Sequence, residues 1–148
     1  MNTMANREMN RILLVDDEPL VLEIFASVLE SDGYAVEQCV SALDAALRLE
    51  QDDFDLLISD IRLNSTGGPF DGFDLAEIAR KRSPRLPVLL LTGAPAEQDR
   101  ERARKISVAY LTKPIGMDQL RAAVRQLYRA ESSKHELVTN EFATAAHE

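Results

Sequence analysis

The stretch Asp55-Leu56-Leu57-Ile58-Ser59-Asp60 decides the fold. Its middle is apolar and too short for a helix. Acid lies upstream, and Asn64, Gly67, Gly68 and Pro69 lie downstream. The reading is a strand buried on both faces, as in a parallel sheet. Such a strand ends in a loop, and the residue at its exit is a carboxylate. A buried strand is not needed merely to present a solvated charge, so Asp60 is the first candidate for chemistry.

Outward from this strand the same design recurs. Arg11-Ile12-Leu13-Leu14-Val15 reads as another buried strand and ends in Asp16-Asp17-Glu18. An Asp cap and Pro19 in the first turn then start a helix. Leu20, Val21, Ile24, Phe25, Val28 and Leu29 form its expected apolar face, and Gly33 stops it. Residues 34–38 read as a short strand, and Ser41 caps a helix carrying Ala42, Ala46, Leu47 and Leu49. After Asp60 comes a long loop over 61–71, then a helix over about 72–81 with Phe73, Ala76 and Ile78 inward. Residues 86–91 are an apolar strand ending at Thr92-Gly93-Ala94, followed by a highly charged helix over 97–105. A fifth strand over 108–111 ends at Thr112-Lys113-Pro114. The last helix spans about 117–129, with Leu120, Val124, Leu127 and Tyr128 on its buried side. Strand and helix alternate five times, which predicts an α/β fold: a doubly wound parallel sheet with helices on both faces.

Composition narrows the classes. At 148 residues one domain is expected. No apolar run reaches membrane-spanning length, and the first residues lack a signal-peptide core. Cys39 has no partner for an internal disulfide. A cytoplasmic protein is expected. The net charge of −8 argues against non-specific nucleic-acid binding, and no helix-turn-helix follows the core, so no direct contact with nucleic acid is expected.

The strand exits carry the functional signal. In a parallel sheet Asp16 and Asp17, Asp60, Thr92 and Lys113 all emerge at one edge, where such folds bind ligands. Singly, each has an ordinary explanation: a helix cap, a turn hydroxyl, a solvated lysine. Capping does not require these types at four exits together. Clustered carboxylates favour a hard divalent cation such as Mg²⁺. A carboxylate beside that cation can attack a phosphoryl group, while the metal and a lysine neutralise the transferring oxygens.

These residues resemble the receiver domain of two-component response regulators. The matching pieces are Asp16-Asp17, Asp60, Thr92-Gly93, and Tyr110 shortly before Lys113-Pro114, over about residues 10–130. The resemblance implies a flavodoxin-like sheet of order 2-1-3-4-5 and a cis Lys113-Pro114 bond. It implies Asp60 as phosphoacceptor, with Mg²⁺ held by Asp17, Asp60 and the backbone carbonyl of Arg62, and with Asp16 acting through metal-bound water. Lys113 would pair with Asp60 and the phosphoryl group, and Thr92 and Tyr110 would be switch residues. The implied donor is a histidine kinase or histidine phosphotransfer protein. The output would be contact with a downstream protein or onward phosphotransfer, from a monomer or weak dimer. Such a protein phosphorylates itself from a donor and slowly loses the group, and is not a turnover enzyme on an external substrate.

Two features depart from the family pattern. Asp71-Gly72 follows the phosphoacceptor later than usual, and Arg62 places a long cation where its side chain would overlook the phosphoryl site. Two other readings remain. One is a phosphorylation-independent interaction module on the same fold. The other is a Mg²⁺-dependent phosphohydrolase, although Asp60-Ile61-Arg62 lacks the second carboxylate of an Asp-x-Asp site. Residues 1–9 are expected to be a flexible N-terminus, and 131–148 a frayed helix or disordered tail.

Overall fold

The computed structural model describes residues 10–63 and 70–136. Expectations for the N-terminus, for Gly67-Gly68-Pro69 and for the end of the tail therefore lie outside the described residues. The strands are β1 (Arg11–Val15), β2 (Ala35–Cys39), β3 (Leu56–Asp60), β4 (Val88–Thr92) and β5 (Ala109–Thr112). The helices are α1 (Pro19–Ser31), α2 (Ala42–Gln51), α3 (Gly72–Arg82), α4 (Glu97–Lys105) and α5 (Met117–Glu136). All four strand pairings are parallel, in the order β2-β1-β3-β4-β5.

The central strands separate two apolar layers by the two-residue period of a pleated sheet. Ile12, Leu14, Leu56, Ile58, Leu89 and Leu91 face one layer, which holds Leu22, Phe25 and Leu29 of α1 and Leu120 and Val124 of α5. Leu13, Val15, Leu57, Val88 and Leu90 face the other, built from α2, α3 and Ala103 of α4. Every residue of β3 and of β4 is buried. That accounts for their unbroken apolar runs, since neither face of the sheet meets water along them.

Several local expectations shift. The buried face of α1 is Leu22, Phe25, Ala26 and Leu29, whereas Leu20 is 66% and Ile24 47% exposed. An apolar-rich helix offers more than one stripe at helical spacing, and the crossover onto the sheet selects between them. No Asp caps α1. Glu18 occupies the cap position without a side-chain bond, and Asp16 Oδ1 accepts from the Glu18 amide at 3.0 Å. Pro19 does open the helix. Gly33 follows α1 with φ +101°, a conformation other residues rarely adopt.

Ser41 caps α2 as expected, its Oγ accepting from the Asp44 amide at 3.0 Å. Leu47 is exposed, and Ala45 takes a buried place beside Ala42, Ala46 and Leu49. Strands β2, β4 and β5 begin one or two residues later than their apolar runs suggest. Helix α5 continues past position 129 to Glu136.

The long loop after β3 is pinned at its base. The Gly72 amide donates to the Ile61 carbonyl at 2.8 Å. A Cβ at Gly72 would lie 2.6 Å from the Asp60 carbonyl oxygen, so only glycine permits this approach. Ile61 and Leu63 are fully buried, and Asp71 and Asp74 form a capping box that starts α3. The loop thus closes back onto the end of β3, and lengthening a closed loop costs little.

Candidate functional site

The carboxyl ends of β1, β3, β4 and β5 bring together the residues singled out from the sequence. Asp16 leaves β1 with its amide bonded to the Cys39 carbonyl at 3.2 Å, and Asp17 follows it. Asp60 is the last residue of β3, and Thr92 the last of β4. Lys113 follows β5, where its amide donates to the Thr92 carbonyl at 2.7 Å. The Lys113-Pro114 peptide bond is cis.

One oxygen from each of Asp16, Asp17 and Asp60 lies within 4.8 Å of the others. Lys113 Nζ reaches this group, 2.9 Å from Asp16 Oδ2 and 3.5 Å from Asp60 Oδ2. The lysine therefore pairs with Asp60, as expected, and bonds more closely still to Asp16. Asp16 is only 2% exposed, and a deeply buried carboxylate holds a cation strongly. The Asp60 carboxyl is raised to about 6: burial raises it most, Lys113 pulls it down, and Asp16 and Asp17 add to the rise. For Lys113, burial alone would lower the ammonium. The Asp16 hydrogen bond and the Asp60 charge outweigh it and leave the pKa raised.

Three clustered carboxylates beside the Lys113 ammonium make an acidic pocket rich in hard oxygen donors. Its charge and donor type fit Mg²⁺, which takes few carboxylates and keeps several waters.

Thr92 is fully buried, and its hydroxyl accepts from the Ala94 amide at 3.1 Å, the turn contact expected for such a residue. Its O–H hydrogen remains available to donate, since a hydroxyl both accepts and donates. Tyr110 is half-buried against the core, and its hydroxyl is buried with no hydrogen-bond partner among the described residues. The Arg100 guanidinium lies 5.6 Å from its ring centroid.

Arg62 has an ion-pair partner on α4. Its Nη2 donates to Asp99 Oδ2 on α4 at 2.6 Å, so the guanidinium is held by α4. Asp99 was not found from the sequence, where it is one charge among many in α4. Only its burial, 9% exposed, distinguishes it.

Comparison with known proteins agrees with this geometry. The response regulator receiver domain family matches residues 12–125. The alginate biosynthesis transcriptional regulatory protein AlgB of Pseudomonas aeruginosa is 38% identical over 129 residues, covering 86% of this chain and 28% of that protein. The transcriptional regulatory protein GlrR of Escherichia coli is 34% identical over 114 residues, covering 76% of this chain and 25% of its own length. The chain thus spans about a quarter of the length of these two relatives. A response regulator receiver protein from Sinorhizobium medicae superposes with a TM-score of 0.73 at 32% identity, covering 84% of this chain and 98% of that one. A CheY-like receiver domain protein from Methanospirillum hungatei gives a TM-score of 0.74 at 28% identity, with the same coverages. From the family match, the sheet order and the acidic strand ends together, the chain belongs to the response regulator receiver domain family.

Proposed function

We propose that Asp60 accepts the phosphoryl group, in a two-component or phosphorelay system whose donor is a phosphohistidine on a kinase or a histidine phosphotransfer protein. The convergence of the Asp16, Asp17 and Asp60 oxygens within 4.8 Å, with Lys113 beside them, carries this reading. Mg²⁺ would be held by Asp17, Asp60 and the Arg62 carbonyl, with Asp16 acting through bound water. When bound, it supplies positive charge that offsets the carboxylates and the phosphoryl oxygens.

The protein's own groups do the rest. An Asp60 oxygen attacks phosphorus, the donor's P–N bond breaks, and the leaving imidazole takes up a proton. Lys113 shifts from its carboxylate partners toward the phosphoryl oxygens, whose charge is greatest in the loose transition state. The Thr92 hydroxyl donates to a phosphoryl oxygen, and Tyr110 follows the space this vacates, remodelling the surface of α4, β5 and α5. Later hydrolysis of the acyl phosphate returns the free carboxylate.

Output in this reading is contact with a downstream protein or onward phosphotransfer, from a cytoplasmic monomer or weak dimer. No helix among the described residues is long and apolar enough to cross a membrane. AlgB and GlrR are transcriptional regulatory proteins several times longer than this chain. For this chain, the net charge of −8 favours protein partners over nucleic acid.

Acetyl phosphate with and without Mg²⁺, followed by intact mass, tests the reading. Wild type should gain one phosphoryl group only with Mg²⁺, and Asp60→Asn none. Equal phosphorylation of Asp60→Asn and wild type would overturn the assignment.

A further inference from the structure

Helix α4 is attached to the domain chiefly through charge. Of its nine residues only Asp99 and Ala103 are buried, so apolar burial contributes little to its docking. Among the described residues, three cationic contacts hold it instead. Arg62, from the segment leaving β3, donates to Asp99 at 2.6 Å. The Arg102 guanidinium lies 4.3 Å from the ring centroid of Phe73 in the first turn of α3. Arg100 covers Tyr110 of β5 at 5.6 Å. Two of the three partners flank the loop that begins at Asp60.

Arg62 stands two residues beyond Asp60, so at most about 7 Å of extended chain separates their backbones. That distance is within the reach of an arginine side chain. A phosphoryl group on Asp60 would carry about −1.5 to −2 charge and three acceptor oxygens. A guanidinium binds such a group in a fork, whereas Asp99 offers a single negative charge.

The geometry points to Asp99 as a positioning residue: it keeps Arg62 on α4 in the unmodified protein, and phosphorylation of Asp60 draws Arg62 away. The exchange leaves the Asp99 carboxylate without its cation, although its side chain is only 13% exposed. A buried charge in that position is strongly disfavoured, and α4 has little apolar contact to keep it there. The helix then loosens and carries Asp99 toward water. No covalent bond changes beyond the phosphoryl transfer, because the exchange is one of ion pairs. This inference rests on the reading of Asp60 as phosphoacceptor.

Amide hydrogen exchange across α4, measured with and without acetyl phosphate and Mg²⁺ on samples whose phosphorylation is counted by intact mass, separates the two ideas. In wild type, phosphorylation should raise exchange in α4 by about fivefold or more. Asp99→Asn should reach the wild-type phosphorylation level, show raised α4 exchange before any donor is added, and respond further by less than about twofold. The double variant Arg62→Gln/Asp99→Asn should exchange like Asp99→Asn alone, since both remove one interaction. Additive effects would show that the residues act separately and would overturn the pairing. Phosphorylated wild type with unchanged α4 exchange would overturn the exchange of ion pairs and leave the phosphoacceptor standing. That wild-type result decides the matter even if a variant folds poorly. A wild type that takes no phosphoryl group would overturn both.

Discussion

Strand β3 and helix α4 meet near the same pocket, yet they are held by opposite means. All five residues of β3 are buried, between two apolar layers and two neighbouring strands. Helix α4 buries Asp99 and Ala103 alone, and β5 beneath it has no buried residue. The neighbouring α3, of similar length, buries Phe73, Leu75, Ala76 and Ala79. In the proposed function the difference separates two tasks. A group that must hold an acceptor carboxylate against three other charges needs a bed that does not yield. A group that must report a change of charge needs contacts that a new charge can replace. Apolar burial is indifferent to a phosphoryl group, whereas an arginine–carboxylate pair is not.

The sharpest way to break this comparison is to truncate one side chain in each region. Leu57→Ala in β3 should cost about 3–5 kcal/mol in urea unfolding, through lost transfer energy and the cavity left behind. Ile106, just after α4, is 37% exposed, and Ile106→Ala should cost under about 1 kcal/mol. Similar losses at the two positions would erase the distinction.

A smaller effect tests how strained the pocket is without a metal. The Asp60 carboxyl is raised from 3.8 to about 6, chiefly by burial. For an acid with a raised folded pKa, the native state holds the proton more tightly. Its contribution to stability is therefore full below about pH 4 and is lost as pH rises through about 6. In metal-free buffer at pH 7.5, Asp60→Asn should accordingly stabilise the fold, by up to about 3 kcal/mol. Near pH 4 the gain should vanish. A metal-free Asp60→Asn less stable than wild type at pH 7.5 would show that the pocket's charges are not in conflict.

The sequence made the pocket readable because its signals are local. A short apolar run followed by a carboxylate, a hydroxyl or a lysine marks a strand exit, and the parallel topology places the exits together. What escaped it depends on the third dimension. Asp99 and Arg62 are 37 positions apart, and nothing in the charge pattern of α4 singles out Asp99 from its neighbours. Lys113 and Asp16 are 97 positions apart, and only the burial of Asp16 shows why the lysine sits closer to it than to Asp60. In α1, the stripes through Leu20 and Leu22 have similar apolar periodicity, and the side facing the sheet is fixed by the crossover. The long loop departs from the family's spacing, yet the Gly72 amide returns to the Ile61 carbonyl next to Asp60.

The central claim is that the phosphoryl group is carried by Asp60 and by no other carboxylate of the pocket. Borohydride reduction of the acetyl-phosphate-treated protein, followed by peptide sequencing, reads that position directly, because an acyl phosphate is reduced and a free carboxylate is not. Reduction at position 60 alone, dependent on Mg²⁺, is the predicted result; reduction at Asp16 or Asp17, or at none of the three, would contradict it.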